Sequence, residues 1–309
     1  MSNRPRFHTS TPLLAVFACL LWSTAFVGVK YGLRYASPLG FAGIRFMVSG
    51  LMILPFAIPS MRYHFRQRHF FQRAFLIGFF QTFLLYGLFY IGMTMIPGAL
   101  GAIIVGSSPL IAALTAHFML HDDRMTFKKT VSIAIGIAGI VLISLSRQPW
   151  TQTGMKELIG IILIIVGTIC SAFGNILVSK DRENFNPLLL NAVQISFGGF
   201  CLTLVSLPVE GFPRWPVTLP FVFAFGWLAF LSAAAFSVWF VLLKRPGVKV
   251  SELNVWKFII PVFGAIFSWI LLTGESPELL SIAGMILVSF SVLFFHIRRP
   301  GDLKRSHGS

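Results

Sequence analysis

Residues 74–121 hold no Asp, Glu, Lys or Arg over 48 positions, a run foreign to a water-facing domain. As one helix it would extend roughly 72 Å, enough for two crossings of a ~30 Å hydrocarbon core. Pro97-Gly98 supplies the break between the two. The whole chain agrees: 56% of it is apolar and 11% charged, against ~25% charged in a soluble domain. Other uncharged runs, at 7–29, 158–179, 184–209, 215–243 and 279–297, each match one span, and shorter ones lie at 46–61, 130–146 and 258–274. The expected fold class is an all-α polytopic membrane protein with ten transmembrane helices, at about 12–33, 39–59, 74–95, 99–119, 128–146, 158–178, 187–207, 219–243, 252–273 and 278–296.

These ten segments are one pattern of five written twice. A proline in an apolar run is followed fourteen residues on by an acid, Pro109 to Asp123 and again Pro261 to Glu275. At the same offset of 152, Leu120 falls on Leu272 and Ser132–Gly139 falls on Gly284–Ser291. Earlier in each copy the offset is 149, pairing Pro38 with Pro187, Arg45 with Gln194 and Gly50 with Gly199. The copies divide as 1–147 and 148–309 within one integrated transmembrane domain. Five is odd, so the second copy enters the membrane from the side opposite to the first. Inverted five-helix repeats are the plan of secondary transporters.

The net charge of +15 suggests nucleic acid, but its distribution points to the bilayer instead. Eighteen of the 25 Lys and Arg fall in the termini and in loops on the N-terminal side of the bundle, five fall on the other side, and Arg45 and Lys257 lie inside spans. The positive-inside rule then puts both termini in the cytoplasm. Cys19, Cys170 and Cys201 lie inside spans without paired spacing, which predicts neither a disulfide framework nor a metal site. Arg4 and Arg6 ahead of an apolar run imitate a signal peptide, yet residues 12–29 are too long for its core and read as a retained first helix. With short loops and no Gly-rich phosphate loop, the motor is expected to be an ion gradient.

Four short motifs follow one another along the chain: Leu21-Trp22-Ser23-Thr24-Ala25-Phe26 with Lys30, Ser37-Pro38 with Arg45-Phe46, Ser108-Pro109-Leu110, and Pro261-Val262-Phe263 through Leu272-Thr273-Gly274-Glu275. In that order they resemble the drug/metabolite transporter superfamily in its ten-helix EamA-like branch. The resemblance covers about 12–296 and implies two inverted repeats around a central cavity that moves small metabolites, often amino acids, across the bacterial inner membrane. One departure is that the family's Leu-Gly-Glu after the fourth helix is here Leu120-His121-Asp122-Asp123.

In the ninth segment Asn254, Lys257, Pro261, Gly264, Ala265 and Ser268 share ~100° of helical arc, a polar or small face suited to a cavity. Lys257 is the charge on that face, and an intramembrane ionisable group is a functional candidate by default; snorkelling to the nearby interface is the competing role. Gln81 and Tyr86 in the third segment, Asn175 in the sixth, Ser108 in the fourth and Trp22 in the first complete the expected substrate-binding set. Arg45, Lys30, Pro109, Pro261, Glu275 and Asp123 are expected in structural or gating roles, although Arg45 has the fork geometry to clamp a carboxylate. No catalytic residue, metal ligand or cofactor is expected. A metal pair at His117 and His121 lacks a third ligand in sequence.

The expectation is therefore a secondary transporter, exporting a small metabolite such as an amino acid, working by alternating access with a proton gradient as candidate drive. Its partners are a small-molecule substrate and the lipid bilayer, not nucleic acid. Two other classes stay open: a membrane receptor or scaffold, and an intramembrane transferase, for which the clustered acids or His-based site are missing.

Overall fold

The computed structural model describes residues 10–65, 67–119, 126–146, 152–180, 185–213, 215, 218–248 and 250–296. Every regular element among them is helical. The order is α1 (Thr11–Gly32), α2 (Pro38–His64), α3 (Arg68–Gly78), a π-helical turn (Phe79–Leu84), α4 (Leu85–Met95), α5 (Gly98–Val105), α6 (Ser108–Met119), α7 (Phe127–Ser146), α8 (Gln152–Lys180), α9 (Pro187–Glu210), α10 (Leu219–Leu243), α11 (Val250–Asn254), a 3-10 turn (Val255–Phe258), α12 (Ile259–Leu271) and α13 (Leu279–His296). Seven stretches are long and apolar enough to cross a bilayer, and the three remaining apolar helices are shorter.

Helix starts follow local chemistry. Ser10, Ser37 and Asn186 stand at N-caps with proline in the first turn behind them, and the Ser10 and Asn186 side chains accept from backbone N–H groups of that turn. The third and sixth spans begin earlier than expected, at Arg68 and Gln152. Apolar content limits what sits in lipid, whereas nothing in 68–73 or 152–157 stops a helix. Two of the ten spans are broken, and both breaks lie one turn before a proline. Pro109 has no N–H to give to the Val105 carbonyl, nor Pro261 to that of Lys257, so α5 gives way to α6 and the 3-10 turn precedes α12.

Packing repeats the sequence duplication. α2 packs on α9 and α7 on α13, each helix against its own counterpart, while α1 on α10 is matched by α8 on α4, α1 on α12 by α8 on α6, and α5 on α12 by α11 on α6. Gly43 stands against Gly199 and Thr203, and Gly50 against Ala192 and Ser196, so numbering rises along α2 as it falls along α9. A Cβ on Gly199 would lie 2.7 Å from the Gly43 carbonyl oxygen, which is why small residues occupy this crossing. Counterpart helices that run antiparallel mean that the copies are inverted. The outside of the bundle is apolar, with Phe56, Phe118, Phe223 and Ile270 among its most exposed side chains, as lipid contact requires.

Candidate functional site

A cavity of about 90 Å³, measured at the centres of water-sized spheres, lies among α1, α2, α4, α6, α8, α10 and the 3-10 turn. That is room for several waters or a compact ligand group. Its aromatic wall is Trp22, Phe26, Tyr86, Phe89 and Phe236. Trp22 meets Phe236 edge to face at 5.3 Å, and Tyr86 meets Phe236 at 6.0 Å, so the wall is held by its own ring contacts.

Lys257 enters from the 3-10 turn that Pro261 imposes, and it is 7% exposed. Its Nζ lies 5.5 Å from the Trp22 ring and 4.9 Å from the Trp239 ring. Those two faces supply cation–π attraction. No hydrogen-bond acceptor for it lies among the described residues, so an ammonium here faces the cavity with its donors unspent.

Arg45 is held far more firmly. Its Nη1 donates to the Leu228 carbonyl at 2.8 Å and to Ser232 Oγ at 2.5 Å, and the guanidinium lies 3.9 Å from the Phe46 ring centre. These bonds tie α2 to α10. The counterpart Gln194 makes the corresponding tie from α9, where its Oε1 accepts from Thr82 Oγ1 in the π-helical turn at 2.8 Å. A neutral amide does the same job in the other copy, so the charge of Arg45 is more than the tie requires. Its Nε has no partner, and neither have Trp22 Nε1 and Ser108 Oγ, whose residues also line the cavity.

Of the expected binding residues, the structure brings Lys257, Gln81, Tyr86, Trp22 and Ser108 to the cavity, and Arg45 with them. Asn175 and Asn254 are not in its wall. Gln81 Nε2 donates to Asn175 Oδ1 at 3.3 Å, Asn175 Nδ2 to Asn254 Oδ1 at 3.5 Å and Asn254 Nδ2 to the Val250 carbonyl at 2.8 Å. The expected ligand-binding amides are thus spent on joining three spans. Helical arc alone placed Asn254 with Lys257, but it does not distinguish cavity from helix contact.

The expected structural residues are also placed. Lys30 Nζ donates to the Met93 carbonyl at 2.9 Å, and Pro261 packs on Gly106, where a Cβ would stand 2.4 Å from the proline ring. Pro109 is buried in α6. Glu275 accepts from the backbone N–H groups of Gly98 at 2.6 Å and Ala99 at 2.9 Å, capping α5. Asp123, like His121, lies outside the described residues. Sequence reasoning passed over Glu210, which accepts from the Leu39 and Gly40 N–H groups at 2.9 and 2.8 Å and caps α2 in the same way. A signal was present: Glu210-Gly211 closes an apolar run as Gly274-Glu275 does, and both glycines have positive φ, 79° and 87°. Trp239, fully buried against Trp22 at 5.1 Å, left no such trace.

Residues 9–145 and 158–297 each match the EamA-like transporter family. The chain is 26% identical over 285 residues to an uncharacterized transporter, YvbV, of Bacillus subtilis (strain 168), covering 92% of this chain and 90% of that one. It is 27% identical to an S-adenosylmethionine/S-adenosylhomocysteine transporter of Chlamydia muridarum (strain MoPn / Nigg), covering 93% and 94%. A solved structure described as a crystal structure of protein superposes with a TM-score of 0.69 at 16% identity over 97% of this chain and 99% of that one, a likeness of fold.

Proposed function

The chain belongs to the EamA-like transporter family, and from that footing we propose that it is a secondary transporter that carries a small metabolite through the central cavity by alternating access between its two repeats, residues 1–147 and 148–309. Lys257 carries the reading: a buried cation with no hydrogen-bond acceptor, facing a cavity among helices of both copies, is costly unless something with acceptors visits it. The resemblance favours export, and the charge asymmetry favours both termini in the cytoplasm of a bacterial inner membrane. A scaffold has no use for an unpaired intramembrane charge, and the cavity wall offers a transferase no acid or histidine.

The substrates named for the Chlamydia muridarum relative are not carried over, because that protein is only 27% identical to this chain. The test is counterflow in proteoliposomes with a panel of metabolites. Lys257→Met is expected to cut uptake roughly ten- to a hundredfold, the worth of a hydrogen bond to a charged group, with membrane-inserted yield unchanged. Wild-type transport by Lys257→Met sinks the assignment.

A further inference from the structure

The described residues that line the cavity include two basic side chains, Arg45 and Lys257, and no Asp or Glu. Their unspent groups are mostly donors: the ammonium of Lys257, Arg45 Nε, Trp22 Nε1 and the hydroxyl of Ser108. The acceptors on offer are neutral, namely Gln81 Oε1, which has no partner, and the hydroxyls of the wall. A carboxylate has several lone-pair sites and no donor, which is the complement of this set. An ammonium group would instead sit near two like charges with no carboxylate to meet it.

Resting on the transport reading above, we infer that the cavity selects an organic monocarboxylate with a flat apolar body and no ammonium group, in preference to a zwitterionic amino acid. The carboxylate lies between Lys257 and Arg45, and the body stacks on the wall of Trp22, Tyr86, Phe89 and Phe236. Arg45 contributes because its tie to α10 uses Nη1 and leaves Nε unspent, while Gln194 shows that such a tie needs no charge. Lys257 contributes because its ring contacts restrain it without using its hydrogens.

Three probes with one skeleton decide the matter: 3-phenylpropionate carries only the carboxylate, phenylalanine carries carboxylate and ammonium, and 2-phenylethylamine carries only the ammonium. Each is titrated calorimetrically into the purified full-length protein in lipid nanodiscs. 3-Phenylpropionate is expected to bind roughly tenfold or more tightly than phenylalanine, 2-phenylethylamine is expected not to bind, and Lys257→Met is expected to remove the preference. Phenylalanine binding as tightly as the anion, any binding of the amine, or no binding of all three at millimolar concentration overturns the inference. Binding is read apart from transport. Selective binding of the anion without counterflow therefore leaves this inference standing and overturns the transport reading, whereas counterflow of amino acids with equal binding of anion and zwitterion does the reverse.

Discussion

At one face of the bundle, where α1 ends, the starts of α2 and α5 are each held by a glutamate from the other copy; at the opposite face the start of α9 is held by an amide and an imidazole. Glu210 and Glu275 each accept two backbone N–H groups across the seam between repeats. Asn186 caps its own helix through the N–H groups of Leu188 and Leu189, and its own N–H donates to His64 Nε2 at 3.3 Å, with Lys244 donating to the neighbouring Phe185 carbonyl. The two ends do the same geometric work with different chemistry. Carboxylates at helix starts gain from the helix dipole as well as from the bonds, so the α1-end face is clasped more tightly than the α9 start. A device built from inverted copies gains direction from such an inequality, because perfect symmetry would leave both ends equally ready to open.

The largest effect expected is all-or-none. Phe212, beside Glu210, and Phe65, beside His64, are both exposed, at 83% and 39%. In intact cells a membrane-impermeant maleimide should label Phe212→Cys and leave Phe65→Cys untouched. The reverse pattern would place the glutamate clasps on the cytoplasmic side and turn the comparison over.

Next in size is the cost of losing the clasps. Such a cap is worth about 1–2 kcal/mol, so Glu210→Ala and Glu275→Ala should each loosen the seam roughly five- to thirtyfold, the second read as the labelling rate of a cysteine placed at Ala99. Glu→Gln at both sites keeps an acceptor at each helix start and should fall between. If His64→Ala loosens its own face as much as both glutamate changes loosen theirs, the inequality does not exist.

The smallest effect concerns His64, which lies beyond the apolar part of α2. Burial holds its imidazole below the usual histidine range, with the Gln67 side chain, toward which the ring can donate, working the other way and Lys244 adding to the depression. Its neutral form is the one that accepts from Asn186, so its stabilisation is complete above the unfolded value near 6.5 and is lost as pH falls below it. Melting in detergent should drop between pH 7.5 and 5.5, and His64→Gln should flatten that slope. A melting point that rises on acidification contradicts the sign.

Much of this was legible in the sequence because lipid allows few solutions. Uncharged runs reported the spans, and Pro109 with Pro261 reported the two breaks. Lys257 was legible for the same reason, since an ammonium in an apolar run is costly enough to stand out. Asn175 and Asn254 bond one another outside the cavity wall, which spacing does not reveal, because an amide satisfied by another amide and one awaiting a ligand have the same helical spacing. Glu210-Gly211 echoes Gly274-Glu275, but what Glu210 holds is not legible, because its partners are backbone N–H groups of a helix some 170 residues away in the chain. The π-helical turn that sets Thr82 against Gln194 likewise depends on tertiary packing rather than on any residue preference.

Where Pro261 seats in the space left by Gly106, two broken spans touch through the proline ring, with no side chain on the glycine to hold them apart. A contact that close cannot slide, but it can tilt. Under the alternating access proposed above it would serve as a fulcrum, with α5 and its glutamate-held start on one side of the pivot and α6 on the other. A seesaw on such a pivot would close one end as it opened the other, and would need no separate signal to keep both from opening at once.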